Sequence, residues 1–230
     1  MSSPTSFLVQ NTLFYRWEHT PRSGRAVVIL YGGAMLDARC SGTYNVYSEA
    51  FSMKPVNEQA WVSELFDYGL DVVALRTGST YSGFECYRAG DTWVRDLIDH
   101  LQELHGGEVC LFGHSAGGLI TAYEIQERTS ITAAVVVSAP MLSEPDALFE
   151  TPTHASNVKA NLLLQWGQQD QLWTRRMPEY YQNAQGCGHT IQRDDTYPGN
   201  LHDTYFTQAA QTQRNNAKAF LTNAQENLGD

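Results

Sequence analysis

The stretch Cys110-Leu111-Phe112-Gly113-His114-Ser115-Ala116-Gly117-Gly118 organises the chain. It holds the pattern Gly-x-Ser-x-Gly, preceded by a short apolar run and followed by a helix-compatible run from Leu119 to Arg128. A strand that ends, a sharp turn, and a helix that begins with a serine at the apex make a nucleophile elbow. Ser115 then projects above the sheet. Gly113 and Gly117 flank it because the turn forces backbones together and leaves no room for Cβ atoms. A glycine-rich turn between two buried elements is the plainer account of the glycines, but it leaves the hydroxyl at the apex unexplained.

Outward from this stretch, the same type of strand recurs. Ala26 to Tyr31, Leu70 to Leu75, Ile131 to Val137 and Asn161 to Trp166 are nearly unbroken apolar runs, as expected of strands buried on both faces of a parallel sheet. Two shorter segments, Ser6 to Gln10 and Leu13 to Trp17, read as an antiparallel edge with a turn at Asn11-Thr12. Helices alternate with the strands. One is capped by Asn57, carries Trp61, Val62, Leu65 and Phe66, and closes at Gly69; another, capped by Asp91, has Trp93, Leu97, Ile98, Leu101 and Leu104 on one stripe. A last helical stretch spans about Thr204 to Leu228. This rhythm predicts an α/β domain: a mostly parallel, twisted sheet with helices on both faces. Residues 1–230 read as one domain. The connection 141–160, rich in Pro, Ser, Thr and acidic groups, is long enough for a short lid-like insertion and too short for a large cap.

Composition narrows the partners. A chain of 230 residues buries about 70% of its unfolded surface, enough for one substantial core. Its 15 Lys and Arg against 25 Asp and Glu, a net charge of -10, argue against nucleic acid and anionic membranes as partners, because no basic patch is available to neutralise phosphates. No run of about 18 apolar residues suggests a membrane span. Met1-Ser2-Ser3-Pro4-Thr5 has neither the basic segment nor the apolar core of a secretory signal, which predicts a cytoplasmic chain. The four cysteines, Cys40, Cys86, Cys110 and Cys187, show no Cys-x-x-Cys pair and no zinc spacing; Cys40 and Cys86, in loops that could face one end of the sheet, are expected to be free thiols, and Cys110 a buried small hydrophobe.

A serine hydroxyl needs a base within hydrogen-bond reach and a carboxylate to orient that base. In open α/β sheets such groups collect beyond the carboxyl ends of the strands. The strand Leu162 to Trp166 runs into Gly167-Gln168-Gln169-Asp170, which places Asp170 there, although an aspartate at that point also suits a turn cap. Two histidines compete for the base. His202 lies in a turn after a possible short strand, Thr190 to Arg193, whereas His189 precedes that strand, so His202 is favoured. His114 is expected to be a packing residue of the elbow. Acyl transfer also needs donors for the oxyanion. Ala116, at the start of its helix, is one candidate; Gly33, after the Val27 to Tyr31 strand, is the first choice for the second, with Ala34 next.

Tyr31-Gly32-Gly33, Gly113-His114-Ser115-Ala116-Gly117-Gly118, Gly167-Gln168-Gln169-Asp170 and Pro198-Gly199-Asn200-Leu201-His202-Asp203 together resemble the α/β-hydrolase superfamily along nearly the whole chain. The Pro-Gly-x-x-His-Asp ending is similar to its compact serine esterase and lysophospholipase-like branch. Two features depart from relatives: Tyr31-Gly32 stands where many have His-Gly, and Arg76 to Ser82 lacks an acidic-Arg-Gly-His-Gly-x-Ser loop. The resemblance implies a single α/β-hydrolase domain with minimal or no cap. It implies a serine hydrolase acting on a small or medium carboxylic ester or thioester, with Ser115, His202 and Asp170 as triad and no metal or organic cofactor. Tyr31, Met141, Phe149 and Trp173 are candidate lining residues for a small-molecule acyl substrate, each equally readable as core or loop anchor. A thioesterase, a peptidase, an acyl transferase or a lyase on the same triad is the enzymatic alternative. A ligand-binding protein that kept the fold and lost turnover is the other.

Overall fold

The computed structural model describes residues 4–9, 12–30, 44–45, 55–75, 80–81, 93–106, 108–141, 155–170 and 176–223. In chain order these form β1 (Thr5–Val9), β2 (Thr12–Trp17), β3 (Arg25–Leu30), β4 (Tyr44–Asn45), α1 (Pro55–Asp67), β5 (Asp71–Leu75), β6 (Thr80–Tyr81) and α2 (Trp93–His105). There follow β7 (Glu108–His114), α3 (Ala116–Glu127), β8 (Ile131–Val137), β9 (Asn161–Gly167), α4 (Met177–Ala184), β10 (Ile191–Tyr197), α5 (Leu201–Thr204) and α6 (Gln211–Thr222).

Eight strands make one sheet in the order β1-β2-β5-β3-β7-β8-β9-β10. The β1/β2 and β2/β5 pairs are antiparallel; all pairings from β5 through β3, β7, β8 and β9 to β10 are parallel. β4 and β6 form a separate antiparallel ribbon. The chain moves from β3 outward to β5, then returns past β3 to β7, so the strand order reverses between β3 and β7. Crevices open beyond the carboxyl ends of the strands at such a switch point, and β7 is the strand that delivers Ser115.

Strand residues alternate between two cores. Val28, Leu30, Leu111, Ala134, Val136, Leu162 and Leu164 face one side, packed with Leu97, Ile98 and Leu101 of α2, Leu119 and Ile120 of α3, and Met177 and Tyr180 of α4. Val27, Ile29, Cys110, Phe112, Val135, Val137 and Leu163 face the other, against Trp61 and Leu65 of α1 and Phe220 and Leu221 of α6. Burial on both faces explains why these strands are apolar without alternation.

Three boundaries differ from the sequence reading. Helix α1 begins at Pro55, so Asn57 lies inside its first turn and is not the cap; proline's fixed φ suits that first position. Helix α3 begins at Ala116, directly after the elbow serine, where the sequence reading placed its start. The polar segment after Thr190 is a seven-residue strand, β10, rather than a short one, because a sheet edge tolerates Gln192, Arg193 and Asp195 pointing outward. The last helical stretch is broken: α5 is one turn, and Thr207 caps a new start with its hydroxyl accepting from the Ala209 amide. Asp91, Cys40, Cys86 and residues 142–154 lie outside the described residues.

Candidate active site

Ser115 sits between β7 and α3 with φ 57° and ψ -122°, a conformation that L-residues rarely adopt. Its amide donates to the Val137 carbonyl at 2.9 Å, tying the turn to the end of β8. A Cβ at Gly113 would lie 2.3 Å from the Thr121 hydroxyl oxygen and 2.5 Å from the Gly117 carbonyl oxygen, so glycine is required there. Serine at this position ordinarily caps the helix that follows. Here the side chain makes no capping bond; its Oγ lies 3.3 Å from Nε2 of His202. Ala116 is the first residue of α3, where amides have no intrahelical acceptor.

Two loops bring His202 and Asp170 to Ser115. The turn after β9 and the turn after β10 are bonded together, Gln168 N–H to the Tyr197 carbonyl at 2.9 Å and Gln169 N–H to the Gly199 carbonyl at 3.2 Å. Asp170, 2% exposed, follows with its amide on the Gly167 carbonyl. Its Oδ2 lies 3.9 Å from Nδ1 of His202, close enough for an ion pair and too far for a hydrogen bond. A carboxylate accepts and does not donate. The imidazole tautomer that suits both neighbours therefore carries its proton on Nδ1 and leaves Nε2 to accept from the serine hydroxyl.

The backbone around His202 is anchored from several elements. The Asn200 side chain accepts from the His202 amide at 3.0 Å. The Tyr205 hydroxyl donates to Oε1 of Gln165 on β9 at 3.0 Å, and Arg214 on α6 donates to the carbonyls of Tyr205 and Thr207. Arg214 is 4% exposed and is neutralised by Glu64 on α1, 3.2 Å away. Burial alone raises the Glu64 carboxyl pKa. The hydrogen bond from Lys218 and the charge and bonding of Arg214 outweigh it and hold the group below its ordinary value.

Ser115, His202 and Asp170 thus meet at the carboxyl end of the parallel strands. His189 does not join them: it is exposed and precedes β10, at the opposite end of the sheet. His19 and Asp71 also pair, at 2.9 Å, but at the start of β5, again far from the elbow. A cavity of about 400 Å³ lined by Arg25, Leu70, Glu108 and Thr222 belongs to that same amino-terminal end. Met141 is 5% exposed and belongs to the same core as Ala139 and Ala155. Tyr31, Gly33, Ala34, Phe149 and Trp173 lie outside the described residues. Among the described residues no group of three or more His, Cys, Asp or Glu is arranged to hold a metal ion, and no helix is long and apolar enough to cross a membrane.

Nothing in the sequence signals that Gln165, Tyr205 and Arg214 anchor the segment around His202, or that His114 bonds the His202 carbonyl. Asn200, two residues before His202 at a helix start, carried a capping signal that was legible; Arg214 carried none.

The profile of the alpha/beta hydrolase family matches residues 20–227. No curated protein matches the chain in sequence. Among solved structures, an esterase from Pyrococcus furiosus superposes with a TM-score of 0.66 at 15% identity, covering 95% of this chain and 91% of that one. A putative dienelactone hydrolase from Klebsiella pneumoniae gives 0.63 at 13% identity, covering 96% and 95%. The acylaminoacyl peptidase of Pyrococcus horikoshii gives 0.67 at 12% identity over the whole of this chain and 43% of its own.

Proposed function

The chain belongs to the alpha/beta hydrolase family, and from that premise we propose that it is a serine hydrolase cleaving a small or medium carboxylic ester, or a thioester, through an acyl-enzyme. One observation carries the reading: Ser115 Oγ lies 3.3 Å from His202 Nε2, and the far side of the same imidazole faces Asp170 at 3.9 Å. Contacts of this kind are often long in an unliganded site and tighten around the transition state.

In the proposed reaction Ser115 Oγ attacks the acyl carbon while its proton passes to His202 Nε2. The imidazolium formed is stabilised by the Asp170 carboxylate. Negative charge collects on the former carbonyl oxygen, where the Ala116 amide and the Gly33 amide serve as donors. The carbon–oxygen or carbon–sulfur bond then breaks, and His202 returns the proton to the leaving group. A water deprotonated by the same Nε2 attacks the acyl-enzyme, the Ser115 ester bond breaks as His202 returns that proton to Ser115 Oγ, and the acid departs. This chemistry calls for no cofactor, and the partner is a small acyl compound.

The test is intact mass after incubation with a fluorophosphonate. The wild type is expected to gain one adduct, which Ser115→Ala and His202→Ala abolish and His189→Ala leaves unchanged. A folded wild type that gains no adduct, with a ligand held non-covalently instead, would establish the binding-protein reading in its place.

A further inference from the structure

His114 immediately precedes the elbow serine, and the structure gives it a task beyond packing. It is 6% exposed, and its Nε2 lies 3.0 Å from the carbonyl oxygen of His202. A carbonyl oxygen only accepts, so the proton of the His114 ring is on Nε2 and the bond runs from that N–H to His202. The His114 and His202 ring centres are 5.2 Å apart, and Phe206 meets His114 edge-on at 5.1 Å, which fixes the plane of the donor. Helix α5, which carries His202, is a single turn, and carbonyls at the end of so short a helix need partners from outside it. The Asn200 side chain takes the His202 amide and His114 supplies a donor to the His202 carbonyl, so side chains from two directions hold the peptide units of one residue.

We propose that His114 is a positioning residue for the base. Its Nε2–H to His202 carbonyl bond ties the end of β7, which carries the nucleophile, directly to the backbone that carries the imidazole, and so sets the Ser115 Oγ to His202 Nε2 distance. The inference rests on the roles assigned above to Ser115 and His202. Strand β7 is a central strand, and the segment bearing His202 lies beyond the edge strand β10, so a small shift between them changes the one distance on which proton transfer depends. Misplacement of a reacting group by about 1 Å costs on the order of 100-fold in rate.

The experiment uses the full chain with His114→Phe, which keeps a ring and loses the donor, and His114→Gln, whose amide nitrogen reaches about as far as Nε2. Fluorophosphonate labelling separates the bound-state rate from the affinity for the reagent. Positioning predicts that His114→Phe lowers the maximal labelling rate about 10- to 100-fold with its half-saturation concentration within about twofold, and that His114→Gln recovers most of the rate. A labelling rate for His114→Phe equal to wild type overturns the proposal, as does a His114→Gln variant as slow as His114→Phe. His114→Leu is the second donorless variant should His114→Phe fail to fold. If the wild type itself is unlabelled, the acyl-transfer reading fails by itself and crystal structures decide the positioning. The Ser115 to His202 separation then lengthens in His114→Phe and is kept in His114→Gln, whereas an unchanged separation in His114→Phe overturns it.

Discussion

Gly167 and Gly199 approach so closely that a Cβ on Gly167 would lie 2.1 Å from the Gly199 carbonyl oxygen and 2.5 Å from the Leu201 nitrogen. The obstacle is backbone, which cannot swing aside, and these two turns carry Asp170 and His202. Gly167→Ala is expected to force them apart. Overpacking of this kind costs about 1–3 kcal/mol, and displacing the base by about 1 Å costs on the order of 100-fold in activity. Thermal melting together with the fluorophosphonate labelling rate checks both effects; a variant that melts and labels as the wild type would show that the turns separate freely.

The φ of 57° at Ser115 stores strain that glycine does not feel. Relief of a disallowed backbone conformation is worth about 1–3 kcal/mol, against about 0.5–1 kcal/mol lost because glycine is freer in the unfolded chain. Strain relief wins. Ser115→Gly is therefore expected to be inactive yet to melt above Ser115→Ala, which removes the same hydroxyl and keeps the strain. Equal melting temperatures would mean that the elbow is not strained.

Glu64 links acidity to stability through Arg214. Its folded pKa lies below the ordinary 4.5, so folding favours the carboxylate. The contribution is fully present above the unfolded value and is lost as pH falls through the folded one. Glu64→Gln is expected to lower stability at pH 7 by about 1.5–3 kcal/mol, the value of hydrogen bonds to charged groups, and the gap to wild type narrows as pH drops below 4.5. Denaturant melts at pH 7 and in the acid range measure it. A gap that persists unchanged in acid contradicts the assignment.

Cys110 is fully buried on β7, and burial pushes its thiol up to about 12. The thiolate is the reactive species, so iodoacetamide at pH 8 is expected to leave Cys110 unmodified in the native protein and to modify it in denaturant. Peptide mapping by mass spectrometry reads the difference, and native labelling at Cys110 would show that the central strand opens.

The central strands were readable because each is apolar on both faces, and short β-branched runs such as Val135, Val136 and Val137 favour a strand over a buried helix. Strand β10 is longer than its sequence signal because it sits at the sheet edge: Gln192, Arg193 and Asp195 remain in water, while Asp194 is buried with bonds from Gln165, Thr196 and Asn216. The long final helix was read across Thr207 because its hydroxyl cap competes locally with helix continuation, and composition does not say which one prevails. Histidine 114 was read as packing because its bond partner is a backbone carbonyl 88 residues away, and a carbonyl leaves no mark on the sequence.

The amino-acid order alone decided the parallel sheet, the elbow and the chain order serine, aspartate, histidine, since apolar runs, glycine spacing and strand ends are local properties. The sequence favoured His202 over His189 by its place after a strand; the tertiary structure shows that His202 lies beside Ser115 while His189 precedes β10 at the other end of the sheet. It also decided that the Ser115 hydroxyl faces an imidazole instead of capping its helix, that His114 bonds the His202 carbonyl, and that Arg214 bonds the carbonyls of Tyr205 and Thr207 just beyond it. These are contacts between segments far apart in the chain, formed because the sheet and its two cores bring the strand ends together, and no local propensity encodes them.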